Sequence, residues 1–207
     1  MEHIVDLETW PRAGQFHFFR TFAKPHYAVT ARIDVTHLMA IRKARAISPY
    51  RASLYAIGAG LHAVPELCMR FRGDTVVRHE AVQLSMTVPK PDGGFNYAYV
   101  PFDLDFITFD TTAKRIIDAT ALATDLTPND GADDVAFLSC MPWRDYTSLS
   151  NAMPGPDDCI PRVGWGKIVN HGDRSDMAMT LEVHHALADG AHAGAFFDAV
   201  QSALNTL

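Results

Sequence analysis

The 207-residue sequence holds only three cysteines, Cys68, Cys140 and Cys159, widely spaced and with no CxxC pair. That argues against a disulfide framework and against the common zinc-ligand spacings, and it predicts reduced, buried thiols. No apolar run approaches the about 18 residues expected of a membrane helix. The opening MEHIVDLETW is acidic and has no apolar leader region, so no secretory signal is expected and the expected location is cytoplasmic. Basic residues are also scarce. Eighteen Lys plus Arg face 24 Asp plus Glu, a net charge of −6. Without a basic run, nucleic acid is a poor partner, whereas a small polyanion needs only a local cationic patch. No GxGxxG follows the first expected strand and no GxxxxGK[ST] occurs, which removes the usual phosphate loops. What remains is ordinary globular composition, 48% hydrophobic and 20% charged, at a length that fits one domain, residues 1–207.

Elements of both kinds follow one another along the chain. Thr9 before Pro11 predicts a helix start, with Trp10, Phe16, Phe18 and Phe19 on that helix. Tyr27, Val29, Ala31, Ile33 and Val35 alternate as in a half-buried strand. Thr36 opens a helix to about residue 46, and Ser48-Pro49 opens another to about residue 63, where Gly58 and Gly60 suggest close packing. Gly73-Asp74 punctuates a hairpin, and strands are expected at 83–89, 95–101, 135–141, 162–169 and 177–183. Asp110 is expected to cap a helix to about residue 125, and Asp189 the last helix, whose Ala193, Phe196, Phe197, Val200 and Leu204 form one apolar stripe. Mixed strands and helices with hairpin signals predict an α+β two-layer sandwich with a mixed, mostly antiparallel sheet.

The segment EVHHALADGAHAG, residues 182–194, carries the densest chemistry. It sets His184 and His185 at the end of a strand, with Asp189 at the start of a helix. An imidazole titrates near neutral pH and suits a general base that takes a proton from an attacking hydroxyl or thiol. Such a reaction needs a donor for the developing oxyanion, and Thr147 and Ser148 offer adjacent hydroxyls. Each residue also has a plainer reading: His185 a satisfied core histidine, Asp189 a helix cap, Ser148 a loop residue. Adjacent strand residues face opposite sides, so the histidine pair makes a poor metal site.

Taken together, HHALADGAHAGAFFDAV resembles the HHxxxDGxHxxxF motif of the trimeric chloramphenicol acetyltransferases. WPRAGQFHFF, PELCMRFRGDTVVRHEAV, LSCMPWRDYTSLS and VGWGKI resemble further segments of that family in the same order, so the likeness spans about residues 5 to 205. It implies the family's CoA-dependent acyltransferase fold and transfer of acetyl from acetyl-CoA, as co-substrate and without a metal, to a hydroxyl of chloramphenicol or a related compound. It also implies that His185 is the base, that Asp189 pairs with Arg12, and that Ser148 donates to the oxyanion. Phe19, Tyr27 and Phe95 would line the acceptor pocket, and Lys167 would lie near the CoA tunnel. The family works as a homotrimer with its sites between subunits, and its resistance enzymes inactivate the antibiotic. The two-domain relatives that share HHxxxDG are about twice this length, so a single such domain is expected to borrow the other wall of its site from a neighbour. Three features depart from the resistance enzymes: Gly164 stands where they usually carry threonine, Pro25 where they often carry cysteine, and PKPDGGFNYAYV is less polar than its counterpart. These fall on the acceptor side, leaving open another metabolite, another acyl-CoA or a non-catalytic binder.

Overall fold

The computed structural model describes residues 1–91, 93–126, 128 and 131–207. Its strands are β1 (Glu2–Val5), β2 (His26–Asp34), β3 (Met69–Arg72), β4 (Thr75–His79), β5 (Gln83–Pro89), β6 (Phe95–Val100), β7 (Val135–Met141), β8 (Arg162–Gly166), β9 (Val169–Asn170) and β10 (Ser175–His184). Its α-helices are α1 (Ala13–Phe19), α2 (Thr36–Ile41), α3 (Pro49–Ala63), α4 (Phe106–Leu122) and α5 (Gly190–Asn205). The large sheet has the order β2-β10-β8-β7-β5-β6, with β9 on β10. Strands β5, β7 and β8 run parallel and the other pairs antiparallel. A second sheet, β1-β4-β3, is antiparallel throughout. The architecture is therefore α+β with a mixed sheet, as the sequence pattern predicts.

Side-chain alternation gives the large sheet two different faces. Met177, Met179, Leu181 and Val183 of β10 enter the main core, which Leu54, Ile57 and Leu61 of α3 and Phe196, Val200 and Leu204 of α5 fill from the helix side. Gly60 lets α3 and α5 meet closely: a Cβ there would stand 2.7 Å from Val200 Cγ2 and 2.8 Å from Phe196 Cδ2. Ser48 caps α3 by accepting the Arg51 N–H, as its position before Pro49 predicts. Among the described residues, the opposite face of the sheet carries no helix. There the segment after β7 runs along β10, with Tyr146 at Thr180, Asn151 at Glu182 and Pro156 at His184.

Several boundaries differ from the sequence pattern for identifiable reasons. Helix α1 begins at Ala13 with Arg12 before it, because the Thr9 hydroxyl is taken up by the Asp6 carboxylate at 2.9 Å. Helix α2 stops at Ile41, and the following turns end in Ala46 at φ 54°. Asp105, not Asp110, caps α4 by accepting the Thr108 N–H at 2.8 Å. Asp110 lies one turn inside α4 and pairs with Arg51 at 2.6 and 3.0 Å. Strand β1 has no counterpart in the expected elements. Its four residues show too little alternation to signal a strand, and pairing with β4 makes them one.

Candidate active site

Strand β10 delivers the histidine pair. The register of β10 on β2 ends with His184 opposite His26, and the His185 N–H extends it by donating to the Pro25 carbonyl at 2.9 Å. His184 turns toward the helix-free face and is fully satisfied: its Nε2 donates to the Pro156 carbonyl at 2.9 Å and its Nδ1 accepts the Ala186 N–H at 3.1 Å. Burial, then the nearby His26, pulls His184 down to about 4, so it is neutral in the folded protein. His185 has a different environment. Its ring stacks on Phe19 at the end of α1, 3.9 Å between centroids and 6° from parallel, and meets Tyr27 of β2 at 4.7 Å. Its Nδ1 is buried without a partner, and Nε2 makes no hydrogen bond within the described residues. A tautomer with the proton on Nδ1 leaves the Nε2 lone pair available to an incoming hydroxyl.

Arg12 and Asp189 fasten this histidine from behind. The Arg12 guanidinium ion-pairs with the Asp189 carboxylate. It also donates through Nε to the Leu187 carbonyl at 3.0 Å and through Nη2 to the His185 carbonyl at 3.1 Å. One planar group thus ties the loop between β10 and α5 to the segment before α1, a use suited to the fixed fork of arginine. Asp189 is also the N-cap of α5, accepting the Ala191 N–H at 3.0 Å, and the His192 Nδ1 lies 2.7 Å from its Oδ1. Burial pushes Asp189 up, but the His192 hydrogen bond and the Arg12 charge outweigh it and hold the carboxyl down to about 2. The buried Tyr27 hydroxyl has no hydrogen-bond partner among the described residues, and burial followed by the Asp189 charge raises it to about 12 against the pull of Arg12.

The remaining sequence-predicted residues lie elsewhere on the chain. Ser148 is exposed on the segment that covers the helix-free face, while His185 packs with Tyr27, whose cross-strand partner Val183 points to the helix side. Phe95 begins β6, is 48% exposed, and meets Tyr97 edge-on. Strands β2 and β6 are the two edges of the sheet, five strand spacings apart, or roughly 24 Å at about 4.8 Å each. One chain therefore brings Phe19, Tyr27, His185, Arg12 and Asp189 together, holds Phe95 apart from them, and carries Ser148 on the segment over the opposite face of the sheet.

Two cavities flank the Ser148 segment. The first, about 580 Å³, is lined by Tyr50, Cys140, Pro142, Trp143, Trp165, Gly166 and Lys167, among others. The second, about 430 Å³, lies on the helix-free face between Ser85, Tyr97, Tyr99, Phe137, Ser139, Asn151 and Arg162. These last residues were missed in the sequence. Their signal is period-two alternation on four strands, which does not say which face is left without helices. Gly164 also acquires a structural reason, because a Cβ there would collide with the Leu149 side chain, and Tyr146 donates to the Gly164 carbonyl at 2.8 Å.

With this geometry in view, a family model described as chloramphenicol acetyltransferase matches residues 2–201. The chain belongs to the chloramphenicol acetyltransferase family. It is 29% identical over 205 residues to a chloramphenicol acetyltransferase of Streptomyces acrimycini, covering 97% of this chain and 93% of that one. A solved chloramphenicol acetyltransferase structure superposes with a TM-score of 0.90 at 28% identity, covering 99% of this chain and all of the other. Members of this family are acyltransferases, and the chain is an enzyme of that class. A dihydrolipoamide acetyltransferase of Azotobacter vinelandii superposes with a TM-score of 0.68 at 18% identity, over 93% of this chain and 86% of that one, a likeness of fold. The acyltransferase family thus accounts for the α+β sandwich and for the order of the motifs along it.

Proposed function

We propose that this protein is an acetyl-CoA-dependent O-acetyltransferase whose acceptor is chloramphenicol or a related hydroxylated compound, with His185 as the general base. The observation that carries the reading is the His185 ring itself. It is clamped against Phe19 and Tyr27, its carbonyl is held by the Arg12–Asp189 pair, and its Nε2 is unengaged. Nε2 takes the proton of the acceptor hydroxyl as that oxygen attacks the thioester carbonyl. The Ser148 hydroxyl donates to the carbonyl oxygen as negative charge develops there, an interaction strongest in the transition state. Collapse expels the CoA sulfur, which receives the proton back from the imidazolium, so no acyl-enzyme forms.

Acetyl-CoA supplies the activated acyl group. The 580 Å³ cavity fits its long, largely apolar arm, with Trp143 and Trp165 as walls and Lys167 exposed at the edge toward the phosphates. The acceptor is received by the second cavity and Phe95 on one chain, and by Phe19, Tyr27 and His185 on the next. The separation of Phe95 on one sheet edge from Tyr27 on the other supports sites shared between copies, as in the homotrimer that the family resemblance implies. A thiol-release assay with acetyl-CoA and a panel of alcohols including chloramphenicol tests the reaction. His185→Ala is expected to lower kcat by at least about 10³-fold while leaving the circular dichroism spectrum unchanged. Surviving turnover in that variant would mean another base.

A further inference from the structure

The segment that carries Ser148 is anchored in a way that its own sequence does not announce. Ser148 is exposed and makes no hydrogen bond within the described residues, so its placement comes from its neighbours. Before it, the Tyr146 hydroxyl donates to the Gly164 carbonyl at 2.8 Å and accepts from Thr180 Oγ1 at 3.3 Å. Immediately after it, Leu149 fills the space above Gly164. Three residues after it, Asn151 donates both its backbone N–H and its Nδ2 to one oxygen of Glu182, each at 2.7 Å. Glu182 is the charged member of this set. It is 6% exposed and forms no ion pair within the described residues. Arg162, opposite it in the β8–β10 register, is committed to Asp158 at 2.7 and 3.2 Å.

Burying a carboxylate away from a counter-ion is costly unless hydrogen bonds to the charged form offset it. Asn151 supplies two such bonds, and bonds to a charged acceptor are roughly twice as strong as neutral ones. We propose that Glu182 is a positioning residue, whose buried carboxylate holds the Ser148 segment in place through Asn151. The proposal rests on the reading of Ser148 as oxyanion donor. The resemblance implies a threonine at the position of Gly164 that helps hold the intermediate; here Gly164 offers no hydroxyl and the Leu149 side chain occupies the space above it, so the placement of Ser148 carries more of the oxyanion contact. A group that acts only by aiming this donor affects the transition state and not the bound substrates.

The test is a double-mutant cycle in the thiol-release assay. Ser148→Ala is expected to lower kcat by roughly 10²-fold, as loss of one oxyanion donor does. Glu182→Ala is expected to lower kcat about 10-fold with both KM values within about twofold, inside the roughly 10²-fold that a 1 Å misplacement can cost. In the Ser148→Ala background the same change is expected to have less than about a twofold effect, because there is no donor left to aim. Glu182→Gln, which keeps an acceptor for Asn151, is expected to recover most of kcat. Asn151→Ala provides a second entry to the cycle if Glu182→Ala folds poorly. Equal loss in both backgrounds, or a lowered melting temperature with unchanged kcat, overturns the positioning role. If Ser148→Ala itself leaves kcat unchanged, the oxyanion assignment fails and the proposal with it, which separates the two failures.

Discussion

The His185 ring lies parallel to Phe19 at 3.9 Å, so the positive charge it gains on taking a proton develops over an aromatic face. Attraction of a cation to such a face is worth about 1 kcal/mol, roughly fivefold in rate. Phe19→Leu keeps the apolar bulk and removes the face. It is expected to lower kcat about fivefold, with any rise in the acceptor KM reporting the separate contact of Phe19 with the acceptor; a raised KM with unchanged kcat would limit Phe19 to acceptor contact. The neighbouring His184 makes a separate, thermodynamic prediction. It titrates near 6.5 when unfolded and is held down to about 4 in the folded protein, so the unfolded chain binds the proton first. Its contribution to stability is complete above about pH 6.5 and is lost as pH falls through that value toward 4. Burial lowers His62 as well, in the same direction. Urea midpoints at pH 7.5, 5.5 and 4.5 are expected to fall with pH, and less steeply in His184→Asn. An unchanged slope would remove His184 as the cause. Local pattern alone does not separate the two histidines, although the family resemblance points to His185. The strand register and the Pro156 carbonyl show that His184 is a satisfied core residue, whereas the His185 ring has no such partner among the described residues.

At the scale of elements, Arg70 joins parts that the sequence keeps far apart. Its guanidinium is fully buried and donates to the carbonyls of Leu67, Met69, Asp133 and Val135 at 2.5–3.1 Å. It thereby ties the start of β3 to the start of β7, and so the small sheet to the large one. Arg70→Met leaves these four carbonyls without donors, and at about 1 kcal/mol net for each bond the loss is expected to be about 4 kcal/mol. Urea unfolding checks this, and a loss below about 1 kcal/mol would mean that water or backbone shifts replace the bonds. Strand and helix identities here were largely legible, because alternation along β2 and β5 and the apolar stripe of α5 are properties of single segments. Caps were less so. The sequence pattern points to Asp110 as the start of α4, whereas Asp105 caps it and Asp110 is taken up by Arg51, 59 residues away in sequence.

At the scale of the molecule, the candidate site is divided. His185 belongs to one edge and the helix side of the large sheet, and Ser148 and Phe95 belong to the helix-free face and the far edge. If sites form between copies, His185→Ala and Ser148→Ala chains should complement each other. Each variant alone is expected to be nearly inactive. Random co-assembly in a ring of three should restore about a quarter of the sites, since each site then draws its histidine and its serine from neighbouring chains. Activity is to be measured on co-expressed, co-purified protein against the two variants mixed after separate folding. No recovery in the co-expressed sample would mean that both residues serve the same chain's site.

The sequence by itself determined most local elements and the α+β class, because periodicity and caps are written within short segments, and it named His185, Asp189, Arg12 and Ser148 as a candidate set through the resemblance of its motifs. Only the tertiary structure decided which face of the sheet stays free of helices, that Arg12 reaches both Asp189 and the His185 carbonyl, and that a buried Glu182 anchors the Ser148 segment. These are contacts between residues tens to more than a hundred positions apart. They are set by strand order and register, and no local pattern encodes them.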